Sequence, residues 1–341
     1  MCNTHESRAL PVLKVDPAQP DPDVIARAAE VIRGGGLVAF PTETVYGLGA
    51  NAFDAAAVER VFAAKGRPSY NPLIAHVPST EAARALVSEW PESAERLAAA
   101  FWPGPLTFVL PKRPEVPGVV TAGLEFVAVR MPAHPVALAL LRAVSVPLAA
   151  PSANRSTEVS PTTAQHVVKG LGARVDLVLD GGPTALGIES TVVDLSRPRA
   201  VLLRPGVVSA TELTPYVGTL ALPTPVTSPA VPRRSPGMTD RHYAPKARLV
   251  LFGPSGRKGA VALAREAVDA GRVVGALLLT RLPAPVQHAV LMPNDPSGYA
   301  QRLYGTLHAL DDAGCDLILV ERVPASPAWE GVRDRLERAG R

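Results

Sequence analysis

A chain of 341 residues has room for roughly two or three domains, and its 47% hydrophobic content supplies real cores. No apolar run approaches the ~18 residues of a membrane span, and "MCNTHESRALPVLKV" lacks the apolar segment of a secretory leader, so a cytoplasmic protein is expected. Cys2 and Cys315 are too few for a disulfide framework or a zinc cluster, and a net charge of +4 from 35 basic and 31 acidic residues does not demand a nucleic-acid partner.

Residues 22–33, "PDVIARAAEVIR", predict a helix. Asp21 suits the N-cap, Pro22 the first helical position, and Val24, Ala28 and Val31 share a face. Gly34, Gly35 and Gly36 end it. Strands are expected at 37–41, 73–77, 106–111, 126–131, 146–150, 176–180, 190–195 and 200–204, with helices near 54–64, 92–101, 134–144 and 162–169. Helices alternate with strands early and strands follow one another late. That order predicts an α/β domain with a mixed sheet.

Six prolines between Pro215 and Pro236 exclude a helix or a central strand and predict an extended linker. A second α/β unit then begins. "RLVLFG" (248–253) reads as a strand, "RKGAVALAREAVDAG" as a helix and "VVGALLL" (273–279) as a strand. A helix carrying Ala300, Leu303, Leu307 and Leu310 follows, then a strand at 316–323 and a helical tail.

Several segments could carry chemistry. "LVAFPTETVYGLGANA" begins as a buried strand and then sets hydroxyls and glycines just past its end, as a ligand cavity would require. "KGRPSYNPLIAHV" gathers Lys65, Arg67, Asn71 and His76. Arginine suits a polyphosphate by bidentate bonding and lysine as a mobile charge; a solvated basic loop is the plainer alternative. In "LAAPSANRSTEVSPTTAQHV" the strand again runs into small hydroxyl residues, Ser152 to Asn154, where backbone could approach phosphate oxygens. Ser160 there also reads as an ordinary helix cap. Arg130, ending an apolar strand, needs an anion: a carboxylate ligand or a structural ion pair. Ser190 enters one strand and Arg204 leaves another. "GPSGRKG" lacks the spacing of a phosphate loop, no histidine pair has metal-ligand spacing, and no serine-hydrolase elbow is present.

Taken in order, "PTETVYGLGANA", "KGRPSYNPL", "FWPGPLTFVL", "VAVRMP", "APSAN", "GIESTVVD", "LLRPG" and "SPGMTDRHYAPKA" resemble the YrdC-type threonylcarbamoyl-AMP synthases in their longer, two-domain form. The resemblance implies a YrdC-like domain at 10–208 with a twisted mixed sheet and a concave basic cavity. It further implies a Pro-rich linker and active-site lid at 209–247 and a small Rossmann-like α/β domain at 248–341. The implied nucleotidyltransferase makes threonylcarbamoyl-AMP and pyrophosphate from L-threonine, bicarbonate and ATP. Magnesium would come with ATP, and no protein metal site is expected. The product would pass to a tRNA threonylcarbamoyltransferase for the t6A modification at position 37. By motif, Thr44, His76, Arg130, Ala150 and Ser190 would form the threonine pocket. Arg67, Asn71, Phe126, Ser152, Ser160, Arg204 and Tyr243 would contact ATP. Lys65, Arg67, Ser152 and Asn154 match the catalytic tetrad at the phosphates, and Phe126 and Ala150 would act through main chain.

Thr239 and Asp240 depart from the family's linker pattern, and "PASPAWEGVRDRL" replaces the glycine-rich turn expected before the last helix. Two rival readings are an RNA-binding module, with weak tRNA contact through the basic surface, and a carbamoyl-transfer protein. The latter's zinc-finger-like cysteine motifs are absent here.

Overall fold

The computed structural model describes residues 10–223, 235 and 242–341, whose strands form one ten-stranded and one four-stranded sheet. Part of the expected linker, residues 224–234 and 236–241 with Thr239, Asp240 and Arg241 among them, lies outside the described residues, as does Cys2. In chain order the first unit contains β1 (Val12–Lys14), α1 (Pro22–Arg33), β2 (Val38–Phe40), β3 (Gly47–Asn51), α2 (Ala55–Lys65), β4 (Ile74–His76), α3 (Thr80–Arg84) and α4 (Glu92–Phe101). It continues with β5 (Leu106–Pro111), α5 (Gly118–Thr121), β6 (Phe126–Arg130), α6 (Pro135–Val144) and β7 (Leu148–Ala149). It ends with α7 (Ala164–Leu171), β8 (Leu177–Asp180), β9 (Thr191–Asp194), β10 (Val201–Arg204) and α8 (Ala210–Val217). The second unit holds β11 (Arg248–Phe252), α9 (Arg257–Asp269), β12 (Val274–Leu278), β13 (His288–Leu291), α10 (Pro296–Asp312), β14 (Leu317–Glu321) and α11 (Glu330–Ala339).

The large sheet runs β1-β8-β2-β3-β7-β4-β6-β5-β9-β10 and is mixed: β4 and β6 are parallel, while β7 is antiparallel to both β3 and β4. The pairing of β4 with β6 sets His76 beside Arg130 at the ends of their strands. Helix α1 forms as expected, with the Asp21 carboxylate accepting from the Asp23 amide and Ile25, Ala28, Ala29 and Ile32 buried.

β3 was not expected. "GLGAN" has the two glycines that usually weaken a strand, and here they make room for a neighbour. A Cβ on Gly49 would come within 2.8 Å of the Phe40 ring on β2, so the hairpin closes only over glycine. These glycines are therefore chiefly packing devices, and the hydroxyls of Thr42 and Thr44 occupy the turn between β2 and β3.

The segment expected to begin the linker at 209 forms α8 instead. Ser209 and Glu212 make a reciprocal capping box, and Leu213 is fully buried. Tyr216 packs edge-on against Phe101 of α4 at 5.4 Å, which holds the short helix despite Pro215. Ala221 then bonds to Ala200 and Leu202 beside β10. The packing of the first unit thus continues past 208.

The four-stranded sheet is wholly parallel in the order β11-β14-β12-β13, as a Rossmann-like unit requires. β13 escaped sequence reading because it is a mostly exposed edge strand without apolar alternation. In the tail, Trp329 supplies what a glycine-rich turn would have left open, packing edge-on against Tyr299 at 5.6 Å. The two units share a core: Val45, Val159 and Ile188 join one apolar cluster with Tyr304, Leu307 and Leu336. No helix among the described residues is long and apolar enough to cross a membrane.

Candidate active site

Strand ends and the turns that follow them line a partly open cavity. Thr44, His76, Arg130 and Ala150 line one part of it; Arg67, Ser152, Arg204 and Tyr243 line another. Some residues of each expected ligand region thus border one space, while Asn71, Ser160 and Ser190 do not line it.

On the threonine side, Arg130 donates to Glu43 at 2.6 Å and to Thr44 Oγ1 at 3.0 Å. Glu43 also accepts from the Ala133 amide at 3.1 Å. Of the two partners foreseen for Arg130, the structural ion pair is therefore present, and Arg130 still borders the cavity. Thr44 Oγ1 lies 2.8 Å from Thr42 Oγ1. Ser190 stands behind this wall, its hydroxyl 2.8 Å from that of Thr107 and accepting from Arg204 at 3.1 Å. Burial, reinforced by Arg130, lowers His76 to about 3, so the imidazole is neutral at physiological pH. Its Nδ1 lies 3.2 Å from the Ile74 carbonyl, and the Ala150 amide donates to that same carbonyl at 3.0 Å.

On the other side, Arg67 is buried and donates to the carbonyls of Asn71 (3.0 Å) and Pro72 (2.9 Å). Burial, opposed by Tyr243 and reinforced by Arg204, brings it down to about 10. Asn71 Oδ1 is buried and has no hydrogen-bond partner. Lys65 does not line the cavity. Its ammonium lies beneath the turn after β7 and donates to the carbonyls of Ser152 (2.5 Å) and Asn154. Burial and the neighbouring Arg67 hold it well below the usual lysine range. Asn154 completes this turn by donating to the carbonyls of Arg155 and Glu158, both at 2.8 Å. Lys65 and Asn154 therefore shape the loop that carries Ser152. The Ala153 amide, on which a phosphate approach was conceivable, donates instead to Tyr46 at 2.8 Å. Phe126 begins β6, four residues before Arg130 and about 13 Å along the strand, and is not part of this wall.

Glu189 is the residue that sequence reading left without a role. It is buried on the cavity wall, and its carboxylate accepts from Ser160 Oγ at 2.5 Å. Burial alone would raise its pKa, but Arg335 and Arg204 bring it down to about 2. The described end of the linker also contributes. His242 and Tyr243 line the cavity with their rings 4.0 Å apart, and Tyr243 is held at φ 61° with its buried hydroxyl unpartnered. A bulky residue in left-handed backbone costs about 1–2 kcal/mol and needs a surrounding that enforces it.

The family model described as "Telomere recombination" (Sua5, YciO and YrdC) matches residues 30–206. A second, described as "Threonylcarbamoyl-AMP synthase, C-terminal domain", matches 208–340. The chain is 44% identical over 316 residues to the threonylcarbamoyl-AMP synthase of Pyrococcus abyssi, covering 92% of each. It is 41% identical to that of Bacillus subtilis, again over 92% of both chains. It is similar throughout to the Pyrococcus abyssi Sua5 crystal structure complexed with L-threonine, with TM-score 0.89, 42% identity and coverage of 96% of this chain and 97% of that one. Both domains and their order are those of one family, and the chain belongs to the threonylcarbamoyl-AMP synthases in their two-domain form.

Proposed function

We propose that this chain makes L-threonylcarbamoyl-adenylate and pyrophosphate from L-threonine, bicarbonate and ATP. One observation carries the reading. A wall of hydroxyls around Arg130 faces the same cavity as Arg67, Arg204 and Ser152. The relative from Pyrococcus abyssi was solved with L-threonine, which matches the first of these walls in chemistry.

The threonine amine and bicarbonate condense to a carbamate, releasing water. A carbamate oxygen then forms a bond to the α-phosphorus of ATP as the bond to the pyrophosphate oxygen breaks. None of these steps needs a protein nucleophile. Arg130 would orient the threonine carboxylate, while Thr44 presents a hydroxyl partner to the substrate side chain and Ser190 backs the wall by holding Arg204. Neutral His76 can accept or donate a hydrogen bond without repelling the amine. Arg67 and Arg204 would neutralise the phosphates, with Ser152 as a hydroxyl contact and Ser160 held behind it by Glu189, so catalysis is positioning plus charge stabilisation. Asn71, with its free buried acceptor, suits a donor on the nucleotide. Magnesium enters with the nucleotide, MgATP being the substrate. The adenylate would serve a tRNA threonylcarbamoyltransferase in t6A37 formation.

Pyrophosphate release from ATP, with threonine and bicarbonate each omitted in turn, tests the reading. Release should require both. Release that ignores threonine would refute it, and steeply salt-dependent RNA binding without turnover would favour a nucleic-acid module.

A further inference from the structure

The last helix reaches back to the active site. We propose that Arg335, in the C-terminal domain, is a positioning residue of the synthase site acting through Glu189, an inference that rests on the function proposed above. Arg335 is fully buried although it belongs to a tail helix rich in charge. Its Nε donates to Glu189 Oε2 at 2.7 Å, and its Nη1 reaches the Pro205 carbonyl and the Asp334 carboxylate, both at 2.8 Å; Asp334 has a second partner in Arg338 at 2.9 Å, so Glu189 is the charge that depends on Arg335. Tyr304 of α10 donates to the same Glu189 oxygen at 3.0 Å. The other oxygen takes the Ser160 hydroxyl. Every partner that fixes Glu189 from the far side of the cavity wall thus comes from the C-terminal domain.

A carboxylate on the wall of a cavity that receives a polyphosphate is a liability. Unpaired, it would repel the phosphates and leave Ser160 without a fixed acceptor. Removing one partner of a buried pair strands the other charge, which is the costly case. Arg335 answers this need at a point outside the cavity, so it neutralises Glu189 without occupying ligand space. Its guanidinium carbon also lies 5.1 Å from the centre of the Tyr243 ring, a cation–π distance. The same side chain therefore supports Tyr243, the linker residue on the cavity wall. The C-terminal domain becomes part of the nucleotide side of the site, while the threonine side around Arg130 and Glu43 is built wholly from the first domain.

The test uses steady-state kinetics on the full-length chain, with KM for ATP and for threonine measured separately. Arg335→Met should raise KM for ATP by roughly tenfold or more and leave KM for threonine within about twofold. Adding Glu189→Gln to that variant removes the stranded charge and should return KM for ATP most of the way. A merely structural Arg335 would shift both constants together, and the second substitution would not help. An unchanged KM for ATP in Arg335→Met, or a double variant no better than the single, overturns the proposal. Should Arg335→Met fail to fold, Arg335→Lys and the double variant decide. A raised KM for ATP in the lysine variant with recovery in the double supports the proposal, and the reverse pattern overturns it. Absence of threonine-dependent turnover in the unsubstituted chain would refute the synthase reading itself, which separates the two failures.

Discussion

Arg130 and Lys65 show how buried cations are tolerated by different means. Arg130 has a carboxylate, Glu43, while the acceptors found for Lys65 are Asn154 Oδ1 at 3.5 Å and main-chain carbonyls of the turn it supports. Lys65→Met keeps the aliphatic stem but deletes the charge and its bonds, so the Ser152 turn loses its anchor. Turnover should fall about 10²-fold, with threonine affinity in equilibrium titration largely kept. Near-normal turnover would reduce Lys65 to a packing residue. The hydroxyls beside Arg130 make a second prediction. Valine matches threonine in shape but offers no partner to Thr44, and an unpaired polar group should cost it about tenfold or more in kcat/KM. Competition assays with the two amino acids measure this, and equal turnover would remove the Thr44 hydroxyl from substrate recognition.

At the scale of elements, α8 and the linker end decide what a truncation means. Cutting after Gly206 would strip Leu213 and Tyr216 from α4 and expose the first domain's core. Cutting after Ala221 preserves α8 and the bonds of Ala221 beside β10 while removing His242 and Tyr243. Both lose the apolar cluster shared with the second unit, but the shorter chain should unfold at a lower temperature by circular dichroism than the one ending at Ala221, and both should lose synthesis. Full-length Tyr243→Ala should lose synthesis too. Activity in the chain ending at Ala221 would show that the linker and everything after it are dispensable. Apolar runs closed by proline made most strands legible in the sequence, since alternation and run length survive without tertiary context. β3 was hidden because its glycines answer to Phe40, a partner only the hairpin reveals. Arg335 left a faint signal. Val332, Arg335, Leu336 and Ala339 share one helical stripe, so an arginine stands where the core face calls for an apolar residue. Glu189 lay within a recognised motif, but its role depends on side chains more than a hundred positions away.

The whole molecule carries its histidines mostly inside, and that sets its response to acid. Burial lowers His76 and His242 to about 3 each. It lowers His166, with His308 and Lys169 adding to the effect, to about 4. His134 and His308 are lowered in the same direction. In the unfolded chain these side chains return toward 6.5, so between each folded value and 6.5 the unfolded state binds more protons. Stability then rises with pH across that window and is lost as pH falls through it. Lys65 acts with the same sign at higher pH, while Glu189, lowered to about 2, adds its loss only below its ordinary value of 4.5. The effect should concentrate where the domains meet, since His166 of α7 and His308 of α10 stack at 3.8 Å and protonation of both would set like charges face to face. His308 also lies 3.1 Å from the Ser160 carbonyl, next to the nucleotide side of the cavity. The melting temperature should therefore fall progressively from about pH 6.5 to pH 5, before the carboxylates titrate. Replacing both His166 and His308 by glutamine should flatten the slope without abolishing it, because His76 and His242 remain. A melting temperature that stays constant from pH 7 to pH 5 would show that these imidazoles gain water or a counter-charge in the folded protein, and that the interface does not depend on their neutrality.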